Sequence, residues 1–368
     1  MSVEFIGYVS HQEASEIHLP RGPAVNPPYI AAVAQAHEYG GFDRVLIVHS
    51  SASPDGFQIA SFVAQQTKRL GILLAHRPGF VAPTLAARQL ATLDHFSAGR
   101  AAVHIISGGD DAEQQRDGDY LSHAQRYLLT DEYLDVLKRA WTSDQPFDHE
   151  GAFYRVTSHR SQVRPLQQPH LPVYFGGSSD AAIEVAGKHA DVYALWGESL
   201  AAVEETIAKV RKAAARHGRE RHIRFSLSSL RPIIAATEDA AWARAESILE
   251  RAREVVARSP NFTRRPKDPQ NVGSQRLLAE ADKGSVVDTR LWTGITALTR
   301  AAGNSTSLVG TAQQVADAML EYHNLGVSTF LIRGFDPLED ALAYGRDLLP
   351  LVRKVVGHEA ATNETITA

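Results

Sequence analysis

Eight short apolar, β-branched runs recur along this chain, and segments of helical periodicity fill the gaps between most of them. The runs are Val3–Tyr8, Arg44–His49, Gly71–His76, Ala101–Ile106, Leu171–Phe175, Val192–Leu195, Ile223–Ala235 and Thr329–Arg333. Strands buried on both faces read as short continuous apolar stretches, and their alternation with helices indicates βα units around a parallel sheet. Pro28–Tyr39 repeats apolar residues at helical spacing and stops at Gly40-Gly41; Pro83–Phe96 does the same and stops near Gly99. Asp131–Trp141, Ala181–His189, Leu200–His217, Asp239–Val256, Thr311–Leu325 and Leu338–Val355 complete the helical set. A doubly wound open sheet uses the same alternation. The count of eight and the lack of an early Gly-rich βα turn favour a (β/α)8 TIM barrel. The expected organisation is one barrel domain over residues 1–357 and a polar tail over 358–368.

Two stretches interrupt the repeat. Ser107–Ser122 is polar and follows the fourth strand; residues 258–310 carry RSPNFTRRPKDPQNVGSQ and TRAAGNSTSLVG. Long connections are usually functional or mobile, and loops after barrel strands lie on the face where chemistry occurs. Residues 258–310 are therefore expected to form a lid, the other reading being a surface insertion.

Composition removes several classes of function. There is no cysteine, so disulfides, thiolate metal sites and a cysteine nucleophile are excluded. The net charge of −4 provides no basic footprint for nucleic acid. No apolar run reaches the roughly 18 residues of a membrane span. The opening MSVEFIGYVS lacks the basic and apolar regions of a secretory signal. A cytoplasmic, soluble protein is expected.

The most informative local motif is Val173-Tyr-Phe-Gly-Gly-Ser-Ser-Asp180. A buried strand runs into Gly176-Gly177, and Ser178 and Ser179 open a helix. Glycine permits close backbone approach, and a helix N-terminus offers unpaired N–H groups to a phosphate. Capping by Ser179 or Asp180 alone accounts for the same residues. His123-Ala-Gln-Arg-Tyr127 precedes a helix and offers an Arg and a Tyr to an anion, or is a solvated helix start. His49 and His76 end strands two and three; His104 lies within strand four. A lone histidine is more often structural, and none has metal spacing with carboxylates nearby, so no metal is expected. GxGxxG, GxxxxGK[ST] and GxSxG are all absent. Arg231, Arg300 and Arg333 fall at strand ends or in the long insertion; singly each is a surface charge, and together they would form an oxyanion site. Trp196, ending strand six, walls a pocket or simply packs.

Longer segments resemble the bacterial luciferase-like monooxygenases, and most closely their alkanesulfonate monooxygenase branch. The matching stretches are Arg77-Pro78, Pro83-Thr-Leu-Ala-Ala-Arg-Gln-Leu-Ala-Thr-Leu-Asp94, Ser97-Ala-Gly-Arg100, His123 to Tyr127, Tyr174 to Ser179 and Leu195-Trp-Gly-Glu198, with weaker matches at Leu308-Val-Gly310 and Pro350-Leu351. The resemblance runs from Val3 to about Val355. It implies a two-component system in which an NAD(P)H-dependent flavin reductase supplies reduced FMN and O₂ is the co-substrate. It also implies a small organosulfur substrate, sulfite and an aldehyde as products, and a homodimer or homotetramer. The cofactor would be held by Tyr127, Gly177, Ser178, Ser179, His123 and Ser107. Arg300, Trp196, Arg231 and Ser53 would be catalytic, and Arg333, Arg231, Trp196 and His49 would line the substrate site.

This sequence also departs from the branch. Ser53 stands where the branch often has cysteine. Ser229-Leu-Arg231 replaces an Arg-x-His pair, with a one-residue insertion nearby. Phe335-Asp-Pro337 replaces a Tyr-x-His pair, and Arg333 has no counterpart. A sulfone or another small substrate, and a deazaflavin-dependent oxidoreductase of the same superfamily, are the alternatives. A non-catalytic flavin binder is a third, and a metal-dependent barrel hydrolase a fourth.

Overall fold

The computed structural model describes residues 2–259, 269–302 and 306–357. Eight strands close a barrel in the order β1 (Glu4–Val9), β16 (Val327–Ile332), β11 (Arg224–Leu230), β10 (Val192–Trp196), β9 (Val173–Gly176), β6 (Ala101–Ile105), β5 (Gly71–His76) and β4 (Arg44–Ile47). The fold is the expected (β/α)8 barrel. Ile72 pairs with Ala101 and His76 with Ile105 in unbroken parallel register. Every residue of β5 and of β16 is buried, as parallel strands covered on both faces require.

The boundaries follow from local chemistry. Helix α1 (Pro27–Tyr39) has proline at its first positions, where no backbone N–H is missed, and Asn26 caps it. Between Gly56 and Gln66 lies a second helix, α2, capped by Asp55, which is additional to the helices expected from apolar periodicity. Helix α3 (Pro83–Phe96) matches its expected span. The short α4 (Asp111–Gln115) interrupts the polar stretch after β6. Helix α5 begins at His123 and runs to Thr142, eight residues earlier than the periodicity indicates, because Ser122 and Gln125 form a reciprocal capping box. Helix α6 (Asp180–His189) is capped by the Ser179 hydroxyl. Helices α7 (Leu200–Ala215) and α8 (Glu238–Arg258) follow.

The chain divides into two compact units. The first comprises Met1–Val45, Ala194–Ala208 and Arg224–Ala368; the second comprises Leu46–Tyr193 and Lys209–Ile223.

In the first unit, the hairpin β2 (Glu13–Ser15) and β3 (His18–Arg21) follows β1. The run Ile223–Ala235 is two strands rather than one. After Leu230 the Arg231 backbone donates to the carbonyl of Thr306, Pro232 lacks an N–H, and β12 (Ile233–Ala235) joins a different sheet. That sheet has the order β12, β15 (Ser307–Thr311), β14 (Leu291–Trp292), β13 (Val286–Val287). The described part of the expected lid is therefore folded. A helix at Val272–Lys283 and another at Gly294–Thr299 flank the β13–β14 hairpin. Trp292, Ile295 and Val309 enter one apolar core with Ile233, Phe335 and the α8 residues Ala241, Ala245 and Ile248. Each large side chain buried there contributes about 1.5–3 kcal/mol, which holds the insertion against α8 and β12 of its own unit. Residues 260–268 and 303–305 of the expected lid, and the expected tail at 358–368, lie outside the described residues.

In the second unit, α3 packs on α5, α5 on α6, and α2 on β5. The hairpin β7 (Phe147–Glu150) and β8 (Arg155–His159) extends beyond α5. No described helix is long and apolar enough to cross a membrane.

Candidate functional site

The second unit brings Tyr127, Gly177 and Ser179 of the candidate phosphate motif together at the C-terminal end of β9. Gly177 has φ +140°, a conformation that side chains rarely adopt. A methyl group there would lie 2.7 Å from Ala182 Cβ and 3.1 Å from the Tyr127 hydroxyl. Only glycine leaves that space open. Ser179 accepts a bond from the Ala182 N–H at 3.3 Å, so it caps α6, and it also hydrogen-bonds the Tyr127 hydroxyl. Burial raises the Tyr127 pKa, which keeps its hydroxyl protonated and able to donate. Tyr193 reaches back and donates its hydroxyl to the Gly177 carbonyl, fixing the loop from below. His123 sits edge-on to Tyr127 with ring centroids 4.9 Å apart. The glycine cradle, the protonated hydroxyl and the helix N-terminus together fit a phosphate.

Two neighbours do not join this group as expected. Arg126 is buried; it donates to the Leu121 carbonyl at 2.7 Å and pairs with Asp111 at 2.6 Å, so it braces the preceding loop. Ser107 is buried too, and its hydroxyl shares a 2.9 Å bond with Thr130 of α5.

A second cluster surrounds the C-terminal ends of β4 and β5. Arg77 pairs with Glu113 at 2.9 Å, and Glu113 accepts the Ser51 N–H at 2.7 Å. His49 stacks on Phe80, and its Nε2 is buried without a hydrogen-bond partner among the described residues. Burial, then the Arg77 charge, lower its pKa, so the ring is neutral near pH 7. His76 accepts from or donates to the Tyr133 hydroxyl at 2.6 Å, and burial depresses its pKa to about 3. Ser53 closes a tight turn: its hydroxyl donates to the Ser50 carbonyl at 2.9 Å and accepts the Ser50 N–H at 2.8 Å. No base stands beside it in these contacts. His104 on β6 leaves Nδ1 buried and unpartnered among the described residues.

Sequence reasoning missed Arg77 and Glu113 as a pair, because 36 residues separate them. It also missed Asp131, Asp135 and His189, whose ligand atoms lie within 4.8 Å of one another. Lys188 occupies that group, with its ammonium 2.9 Å from Asp131 and 2.7 Å from Asp135.

In the first unit, Trp196 ends β10 half-buried against Gly273 of the helix Val272–Lys283. Just beyond it, Glu198 is held by Arg276 through bonds of 2.8, 3.0 and 2.6 Å. Arg300 is exposed and left-handed, with φ 56° and ψ 48°, at the end of the helix Gly294–Thr299.

Arg231 does not present an open guanidinium. It is fully buried, donates to Glu16 at 2.6 Å, to the Arg333 carbonyl at 3.1 Å and to the Gly334 carbonyl at 2.8 Å, and lies 3.8 Å above the Phe335 ring. Arg333 also bonds Glu16 and lies 4.9 Å over the Tyr8 ring. Glu16 is buried, which by itself would raise its pKa; Arg231 and Arg333 outweigh burial and hold it at about 2. Nothing local in the sequence marked Glu16, whose partners lie 215 and 317 residues away.

Comparison with solved structures reinforces the fold. A riboflavin lyase, solved with a modified FMN and its substrate riboflavin, superimposes with a TM-score of 0.80 at 18% identity, over 96% of this chain and 92% of that one. A long-chain alkane monooxygenase gives a TM-score of 0.75 at 19% identity, over 96% and 92%. An EDTA monooxygenase from Chelativorans sp. BNC1 gives 0.75 at 19% identity, over 96% and 94%. These likenesses establish the fold alone. The sequence itself matches the family described as luciferase-like monooxygenase over residues 3–329, and the chain belongs to that family.

Proposed function

We propose that this chain is a flavin-dependent monooxygenase that takes reduced FMN from a separate NAD(P)H-dependent reductase and cleaves the C–S bond of a small organosulfonate with O₂. The observation that carries the flavin reading is the Gly177 cradle, where a Cβ would collide with Ala182 and crowd the Tyr127 hydroxyl. Tyr127, Ser178 and Ser179 would hold the cofactor phosphate, and His123 would pack beside Tyr127. When bound, reduced FMN supplies the two electrons that activate O₂. The reaction consumes sulfonate, O₂ and reduced flavin in equal amounts. One oxygen atom enters the carbon that becomes the aldehyde, the other leaves as water, and the broken C–S bond releases sulfite.

The chain's own residues supply binding, orientation and exclusion of water. Within the first unit, Trp196 would line the organic part of the substrate, and Arg300 would bring a positive charge from the insertion. Ser53 would offer a hydroxyl at the β4 loop. The protein would act as a homodimer or homotetramer. A neutral sulfone is the second reading, favoured by the pairing of Arg231 with Glu16, which withdraws one arginine from anion binding.

Anaerobic titration with reduced FMN, followed by flavin fluorescence, tests the cofactor assignment. Tyr127→Phe removes one hydrogen bond to a charged group, about 1.5–3 kcal/mol, so affinity falls roughly ten- to a hundredfold. Unchanged affinity in Tyr127→Phe and in Gly177→Val would place the cofactor elsewhere.

A further inference from the structure

One turn of the helix Val272–Lys283 contacts both the loop that carries Trp196 and the turn that carries Arg300. Toward Trp196, Gly273 lies so close to the indole that a methyl group there would be 2.3 Å from Cε2. Arg276, three residues on and on the same face, grips Glu198 with a fork. Its Nε lies 2.8 and 3.0 Å from the two carboxylate oxygens, and its Nη2 lies 2.6 Å from Oε2. Glu198 is buried, and its backbone is pinned separately: Tyr322 donates to the Glu198 carbonyl at 2.8 Å, and Thr306 to the Gly197 carbonyl at 2.7 Å. Arg276 also lies 3.8 Å from Glu205. Further along the helix, Glu280 pairs with Lys283 at 2.9 Å and accepts the Ser199 hydroxyl at 3.0 Å. Toward Arg300, Ser274 is turned roughly a quarter of a circle from Gly273 and donates its hydroxyl to the Ala301 carbonyl at 3.1 Å. Arg300 and Ala301 are consecutive left-handed residues, with φ 56° and 55°. Such backbone persists only where its surroundings over-determine it. Here the Ala301 N–H donates to the Thr296 carbonyl at 2.8 Å, and the Ala301 carbonyl is held by Ser274.

We infer that Ser274 and Arg276 are positioning residues, and that their helix sets Trp196 and Arg300 as one unit rather than as two independent groups. A buried ion pair is a weak device for stability, since apolar residues of similar volume serve as well. The fork instead fixes direction: two parallel bonds to one carboxylate hold the helix against rotation relative to the Trp196 loop. A rotation that loosened Arg276 from Glu198 would carry Ser274 away from Ala301, and release of Ala301 would free the helix in turn. The same coupling free energy is therefore felt from both ends. The inference rests on the proposed function for what Trp196 and Arg300 do; the linkage between them is measured without turnover.

The chain has no cysteine, so Arg300→Cys accepts a single nitroxide label whose mobility in the full chain reads the Arg300 turn by electron paramagnetic resonance. Acrylamide quenching of Trp196, taken as the difference from Trp196→Phe, reads the other end. Arg276→Gln is expected to shorten the correlation time of the label at least twofold, although it acts on the Trp196 side. Ser274→Ala is expected to at least double the quenching of Trp196, although it acts on the Arg300 side. Arg276→Lys keeps the charge and should recover at least half of the effect of Arg276→Gln. Should Arg276→Gln fail to fold, Ser274→Ala decides alone, since it deletes one hydroxyl and leaves a good helix former. Effects confined to the side on which each variant acts overturn the inference, as does an Arg276→Lys protein no closer to the wild type than Arg276→Gln. Cross-effects in a chain that turns over no sulfonate support the linkage and remove the proposed reaction.

Discussion

The Trp196 indole rests directly on Gly273: a methyl group at Gly273 would lie 2.3 Å from Trp196 Cε2 and 2.6 Å from both Cζ2 and Nε1. No rotation of an added side chain at Gly273 avoids this contact, because it is the first side-chain atom that collides. Gly273→Ala should therefore displace the tryptophan. Turnover is expected to fall at least about tenfold, since misplacement by about 1 Å is enough for such losses. The helical propensity gained at position 273 limits the loss of stability. Steady-state kinetics beside a thermal melt checks this; equal turnover in Gly273→Ala would show that the position of Trp196 is irrelevant.

The Gly177 conformation makes a separate prediction. Gly177→Ala places a side chain at φ +140° and 2.7 Å from Ala182, so the start of α6 must shift. Reduced FMN affinity should drop by more than in Tyr127→Phe, and a Ser179→Ala variant should lose both the cap, about 1 kcal/mol of stability, and flavin affinity. Paired fluorescence titration and denaturant unfolding separate the two effects. A Ser179→Ala protein that loses stability alone would reduce Ser179 to a cap.

Much of the barrel was legible because its strands are buried on both faces. β5 and β16 are continuous apolar runs whose spans the periodicity recovers to within two residues. The start of α5 was also legible, in Ser122-x-x-Gln125, but its first turns are polar and hide from apolar periodicity. The elements inside the insertion were not legible, because its core residues, Trp292, Ile295 and Val309, belong to three different short elements, each too brief to display a period. The environment of Arg231 was not legible at all. Its partner Glu16 lies in a polar hairpin 215 residues earlier, and only the closed barrel brings β1 and β11 to either side of β16.

Three buried histidines predict the acid limb of stability. Burial lowers His37 and His104 to about 4 and His76 to about 3, all from 6.5. Between those values and 6.5 the unfolded chain binds protons that the folded chain refuses, so stability rises with pH through that window. It is fully present above about 6.5 and declines as pH falls, by about 1.4 kcal/mol per pH unit for each histidine. Glu16, held at about 2 by its two arginines against the opposing effect of burial, adds a further loss of the same sign below about 4.5. Thermal melts across pH 8 to 4 should show a plateau and then a steepening decline. A melting temperature constant down to pH 4.5 would contradict the neutral, buried state of these rings.

Arg300 separates folding from activity. Its left-handed backbone, φ 56° and ψ 48°, costs a non-glycine residue about 1–2 kcal/mol. Arg300→Gly relieves that strain and removes the guanidinium, so stability should rise by up to about 1 kcal/mol while turnover falls. Parallel changes in both, whether up or down, would mean that Arg300 acts through structure alone.

The most direct test is sulfite release in air from a panel of sulfonates, sugar sulfonates included, with reduced FMN supplied by a generic flavin reductase. The account predicts sulfite and aldehyde in equal amounts from at least one monoanionic sulfonate, dependent on both O₂ and reduced FMN. Absence of sulfite from every sulfonate, or product formed equally well without O₂, would contradict it.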